Sequence, residues 1–242
     1  MKFSRIALLL AVSAALLLLV GGPGTRFGLW EFRDGFLLMR WAAYLGLASA
    51  ALALTLLIIP ATRRGQGVRL LFACVIGLIV AYLPWQLQQQ ARSVPPIHDI
   101  TTDTLDPPQF SAILPLRIDA PNPPGYAGEQ VARLQQEAYP DLGSYRLNAG
   151  AGQAFERALA AARQMGWEIV AADPETGRIE ATATTFRYGF KDDIVVRIGA
   201  DDAGNGGSVI DVRSKSRVGR SDLGANAGRI RAYLDALQAG GQ

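Results

Sequence analysis

Four cations, Arg213, Lys215, Arg217 and Arg220, run into Ser221-Asp222, where a helix is expected to begin. Unpaired N–H groups at a helix start, with cations beside them, suit an anionic ligand, and Ser221 is a favourable N-cap. Arg187 and Lys191, on the turn expected beside this strand, complete a candidate anion site. A structural role competes with it. Asp192, Asp193, Asp211 and Asp222 would then pair with these cations on a solvated sheet face, and Asp222 would complement the helix dipole.

Other constellations are poorer in chemistry. Asp192 and Asp193 are adjacent at a strand start, so they point to opposite faces and form no acid/base dyad. Asp192 then faces the core and needs a buried partner, an Arg or a backbone N–H. His98 with Asp99, Asp103 and Asp106 matches no standard calcium loop, and no Gly-x-Ser-x-Gly motif offers His98 a nucleophile. A hydrogen-bonded strap is the expected use of that segment. The single cysteine, Cys74, lies in an apolar run, which excludes an intrachain disulfide and thiolate catalysis in the polar part. One histidine and one cysteine leave no Cys/His zinc set. The glycines of Gly204-Asn205-Gly206-Gly207 read as a turn, not a nucleotide loop. No catalytic residue, metal or cofactor is assigned.

The elements that would hold these residues follow from composition. Half of the 242 residues are hydrophobic and the formal net charge is +3. Residues 1–94 hold nine basic and two acidic side chains, and residues 95–242 hold fifteen and nineteen. The positive excess flanks apolar runs, a membrane pattern and not a nucleic-acid one. Transmembrane helices are expected at about 6–22, 41–60 and 68–85 within a membrane region of residues 1–90. Trp30, Trp41, Tyr82 and Trp85 stand at their ends. The first run sits at the border between a signal peptide and a helix; without a clean cleavage site it reads as an uncleaved helix. Lys2 and Arg5 precede it, and Arg63, Arg64 and Arg69 lie between the second and third runs. The positive-inside rule puts both in the cytoplasm, so residues 86–242 lie outside. Apart from Arg69 at its edge, the last two runs hold no Asp, Glu, Lys, Arg or His, which argues against a transporter. Gly46 and Ala50 offer close helix contact.

Residues 91–141 are proline-rich, yet Ile97, Ile100, Phe110, Ile113 and Leu116 are too apolar for a free linker. They are expected to form a strap, with one short helix at Glu129–Ala138. Residues 142–242 alternate regularly. Tyr145–Leu147 reads as a short strand, and a helix follows at about Gly152–Met165. Strands are expected at Trp167–Ala172, Arg178–Phe186, Asp192–Ile198 and Val209–Lys215. A hairpin loop spans 201–207, and a last helix runs over about Asp222–Gln238 with Leu223, Ala227, Ile230, Leu234 and Leu237 in one stripe. The fold class is α+β: three transmembrane helices, then an antiparallel four-stranded sheet with two helices on one face and a Pro-rich strap.

Pro95-Pro96-Ile97-His98-Asp99-Ile100-Thr101-Thr102-Asp103, with Pro107-Pro108-Gln109-Phe110, resembles the opening signature of the bacterial family called domain of unknown function 1499 (DUF1499). The likeness continues in Gly166-Trp167, Ile179-Glu180-Ala181 and Gly189 to Asp193. It resumes at Ser214 to Gly219 and Ser221 to Asn226, so it spans about residues 95–238. The resemblance implies one intact domain behind a variable anchor and brings no catalytic residues. The expected function is that of a bacterial inner-membrane protein, N-terminus cytoplasmic, in contact with the lipid bilayer and not with nucleic acid. Its periplasmic domain would bind an envelope protein partner or an anionic ligand. The alternative is a hydrolase-like envelope enzyme using carboxylate, Arg and Ser groups.

Overall fold

Backbone removed from water must satisfy its own N–H and C=O groups, and the apolar runs do so as helices. The computed structural model describes residues 2–201 and 206–240. It divides into a unit of Met1–Arg92 with Phe186–Gly189 and a unit of Ser93–Thr185 with Phe190–Gln242. In the first unit, α1 (Lys2–Arg26), α2 (Phe32–Ile58) and α4 (Gly67–Ser93) are each long and apolar enough to cross a bilayer. The one-turn α3 (Pro60–Arg63) lies between the last two.

These helices outrun the expected limits for identifiable reasons. Gly21 and Gly22 do not end α1; they are packing surfaces. A Cβ on Gly21 would lie 3.0 Å from the Gly35 carbonyl oxygen of α2. At the N-terminal side, α2 recruits Phe36-Leu37-Leu38-Met39. At the C-terminal side, α4 continues through Gln86–Arg92, whose residues favour helix. Gly46 does mark a close approach: a Cβ there would lie 2.7 Å from the Gly77 carbonyl oxygen of α4. Ser49, fully buried, donates to the Ala7 carbonyl at 2.8 Å, a polar tie between apolar helices.

In the second unit the described residues form one antiparallel sheet of six strands, not four. Its members are β1 (Asp99–Thr101), β2 (Tyr145–Leu147), β3 (Glu168–Asp173), β4 (Arg178–Thr184), β5 (Lys191–Ala200) and β6 (Ser208–Ser216). The order is β1-β6-β5-β4-β3, with β2 also pairing β6. Of the two strands beyond the expected four, Tyr145–Leu147 is the short strand expected there and joins the sheet at β6, while Asp99–Thr101, three residues in the strap, is too short for alternation to register. Residues 202–205 of the expected hairpin loop lie outside the described residues.

Period-2 alternation sorts the sheet into two faces. Ile179, Ala181, Ile194, Val196, Ile198, Ile210 and Val212 face α6 (Ala151–Gln164) and α7 (Ala225–Ala239). Trp167 stacks on Tyr233 at 4.9 Å, and the Tyr233 hydroxyl donates to the Ala158 carbonyl. The helix α5 (Glu129–Ala138) guards the sheet edge. Its buried Gln135 accepts from Thr101 N–H and donates to Thr101 C=O, replacing a neighbouring strand at β1. The opposite face, where paired charges on a solvated surface are expected, is enclosed. Glu180, Thr182, Asp193, Arg213 and Lys215 are all buried there. What covers them is the proline-rich strap, which lays Phe110 and Ile113 on Val195.

Candidate functional site

Beneath the strap lies a layer of ion pairs built on three carboxylates. Asp99, on β1, receives Arg213 Nε and Nη2 at 2.9 Å each, a two-pronged pair, and Lys215 Nζ at 2.8 Å. All three side chains are buried. Both cations also donate to strap carbonyls: Arg213 to Pro108 and Pro124, and Lys215 to Gly125 at 2.6 Å. The Arg213 guanidinium also lies 4.9 Å from the Phe110 ring centroid. Burial is the largest influence on the Lys215 ammonium and pushes its pKa down; the Asp99 charge works against that shift.

Asp193, on β5, is the second node. It accepts from Arg117 at 2.6 Å, from Arg217 Nε and Nη2 at 2.8 Å each, and from the Thr182 hydroxyl at 2.7 Å. Arg117 comes from a 3-10 turn of the strap, Leu114–Arg117. Burial lowers its pKa, opposed by Asp193. Glu180 is the third node. Its carboxylate accepts the strap N–H groups of Ser111, Ala112 and Ile113 at 2.9, 3.1 and 2.9 Å. At the rim, Arg197 joins Asp103, Asp106 and Asp211 at 2.8, 2.6 and 2.9 Å.

The expected anion-site residues therefore separate. Arg213 and Lys215 are enclosed with Asp99, and Arg217 is directed at Asp193 and Thr182. Arg187 belongs to the helical unit, where it donates to the Leu18 carbonyl. Lys191 and Arg220 are exposed and Ser221 is half-buried. Helix α7 starts at Ala225, not Asp222, because Leu223 and Gly224 both take positive φ and interrupt the turn before it. Ser221 accordingly accepts from Leu223 N–H rather than capping the helix, and Asp222 accepts from Gly224 and Asn226 N–H at 2.8 Å. Burial raises the Asp222 pKa despite these bonds. The partner expected for Asp192 is Arg229, at 2.6 Å.

Residues that motif reasoning left out, Arg117 and Glu180 above all, hold the layer together. Their signal is weak: alternation in β4 turns Glu180 away from the apolar face, and nothing near Arg117 in sequence marks its partner. His98 contributes through its backbone, which accepts from Ser216 N–H at 2.9 Å and from the Asn226 amide at 3.0 Å. Its imidazole is held below its ordinary 6.5, first by burial and then by Lys215. The fold thus favours the neutral ring. Stability should be fully present above pH 6.5 and fall as the pH drops through the lowered value. One proton limits the slope to about 1.4 kcal/mol per pH unit. Unfolding midpoints of wild type and His98→Gln across that window check it; an equally steep slope in the variant would assign the effect elsewhere.

Among the described residues no group of three or more His, Cys, Asp or Glu is placed to hold a metal ion. Chemically the layer is a polar core of mutual pairs: its cations meet carboxylates and its carboxylates meet cations or N–H groups, while Arg117 Nε is buried without a partner among the described residues. A family profile described as protein of unknown function (DUF1499) matches residues 99–237. No curated protein matches the chain.

Proposed function

The chain belongs to the DUF1499 family, and we propose that it is a bacterial inner-membrane protein that displays its family domain in the periplasm to bind an envelope protein partner or an anionic ligand. One observation carries this reading over an envelope enzyme. The Arg and carboxylate groups that would serve a hydrolase are committed to one another beneath the strap. That supports a rigid displayed surface more than a reactive centre. The orientation rests on Lys2, Arg5, Arg63, Arg64 and Arg69 flanking helices of spanning length. With three crossings the C-terminal domain stands outside.

Of the candidate anion-site cations, Lys191 and Arg220 remain exposed, with the Ser221 hydroxyl beside Arg220, so an anion at this site is met by them. Removing both charges in Lys191→Gln with Arg220→Gln should abolish binding of inorganic phosphate. It should barely move the melting temperature, since exposed cations contribute about 0–1 kcal/mol each. Arg217→Gln should do the reverse, lowering stability through the buried Asp193 charge it leaves short of a partner. Phosphate binding that survives the double substitution would overturn the anion site. Crosslinking from positions 191 and 220 in native membranes tests the protein partner. Protease added to spheroplasts should digest residues 93–242; digestion from the cytoplasmic side alone would reverse the orientation.

A further inference from the structure

Phe186 is 92% exposed, on a turn where a polar residue would serve the hairpin equally well. The tetrapeptide Phe186–Gly189 belongs to the helical unit, and its contacts there are specific. Arg26, the last residue of α1, donates to the Phe186 carbonyl at 2.7 Å and lies 5.9 Å from its ring centroid. The Arg187 stem rests on Gly22. Tyr188 packs on Phe36 with centroids 5.1 Å apart, and its hydroxyl reaches Met39 Sδ at 3.8 Å.

The level of this turn along the membrane normal follows from α1. The helix carries Arg5 near one end and Arg26 at the other. At 1.5 Å per residue that segment rises about 31 Å, close to the thickness of a bilayer's hydrocarbon core. Arg26 therefore sits at headgroup level, and whatever it holds sits there too. Phe27 and Leu29, in the connection between α1 and α2, are 75% and 72% exposed and share that level. Exposed Phe and Leu side chains at this level enter the boundary between headgroups and acyl chains, where burial of their apolar surface favours them.

We infer that Phe186–Gly189 is a lipid-contacting element, with the Phe186 ring entering the boundary between headgroups and acyl chains beside the end of α1. This rests on α1 and α2 spanning the bilayer but not on any ligand of the family domain. Continuity with the spanning helices is what names lipid as the occupant.

The test uses the full chain with Cys74→Ala and one cysteine introduced by Phe186→Cys, carrying an environment-sensitive nitrobenzoxadiazole label. The protein is reconstituted in phosphatidylethanolamine and phosphatidylglycerol vesicles containing lipid with a nitroxide high on its acyl chain. Leu47→Cys, on the exposed face of α2, reports the spanning helices, and Leu105→Cys, 95% exposed in the family domain, reports water. The label at 186 should be quenched by the nitroxide lipid several-fold more than at 105 and shielded from aqueous iodide. Quenching at 47 with water-like behaviour at 186 would overturn the inference and leave the spanning helices standing. No quenching at 47 would overturn both. Shielding at 186 from lipid nitroxide and iodide alike would overturn it in favour of a covering protein surface.

Discussion

Asp99→Asn should cost the family domain on the order of 3–5 kcal/mol, because it removes the carboxylate that Arg213 and Lys215 share, the only one they pair with among the described residues, and leaves two enclosed cations without a counter-charge. Asparagine keeps the shape, so no cavity contributes. Its single carbonyl oxygen replaces two charged acceptors, and its amide presents hydrogens to donors. Domains of this size have about 5–15 kcal/mol of stability in all. Amide exchange in β1 and β6 should therefore quicken by a factor of about a hundred to several thousand. Burial already lowers the Lys215 pKa and Asp99 is what opposes it. Without Asp99 the ammonium gives up its proton more readily, so the fold of the variant favours neutral Lys215. The loss should then grow as the pH falls and shrink as it rises. Replacing all three residues by apolar ones of similar volume should recover most of the deficit. An Asp99→Asn protein within about 1 kcal/mol of wild type would mean that the layer is open to water.

Periodicity made one half of this architecture readable. The stripe through Ala227, Ile230, Leu234 and Leu237 and the alternation in β4, β5 and β6 locate the helical face without any tertiary information. The same alternation says nothing of what lies on the other face. Glu, Asp, Arg and Lys there suggest solvent, since such residues are seldom enclosed unless paired. The pairing depends on partners far apart in sequence: Arg213 meets Asp99 across 114 residues and Arg117 meets Asp193 across 76. No local pattern carries such a contact. A clue was present in the strap, whose Phe110 and Ile113 needed an apolar surface that the helical face no longer had free. In sequence the candidate anion site is one cluster, because Arg213, Lys215 and Arg217 run on through Arg220 into Ser221-Asp222. Enclosure took those three, and the backbone reversal at Leu223 and Gly224 moved the helix start away from Ser221. The stretches that carry the family likeness converge on the enclosed layer: Asp99, Phe110, Glu180, Asp193, Lys215 and Arg217 all come from them.

Glu180→Gln should release the strap while leaving the helical face of the sheet in place. The native carboxylate offers acceptors to three strap N–H groups, those of Ser111, Ala112 and Ile113, and is itself fully buried. Glutamine retains one oxygen. If it serves Ser111 and Ala112, its amide hydrogens confront the Ile113 N–H, two donors with no acceptor between them. Hydrogen bonds to charged groups contribute about 1.5–3 kcal/mol each. Losing one outright and weakening two puts the expected cost at about 3 kcal/mol. It should fall first on residues 111–113, because the strap on either side keeps its own ties to the sheet, Arg117 to Asp193, Asn122 to Ser216 and the Pro108, Pro124 and Gly125 carbonyls to Arg213 and Lys215. Amide exchange should rise at Ser111, Ala112 and Ile113 well before it rises in α6 or α7. Arg117→Met acts on the same lid, so the double variant should be less destabilised than the two single effects summed, as expected of neighbours in one network. Additive effects would make the two contacts independent. Uniform acceleration across the domain would mean that strap and sheet open only together. Selective opening would mean that one carboxylate decides whether the enclosed cations of β6 meet water, since the strap covers Arg213 and Lys215 on that side with the carbonyls of Pro108, Pro124 and Gly125 and the rings of Phe110 and Tyr126.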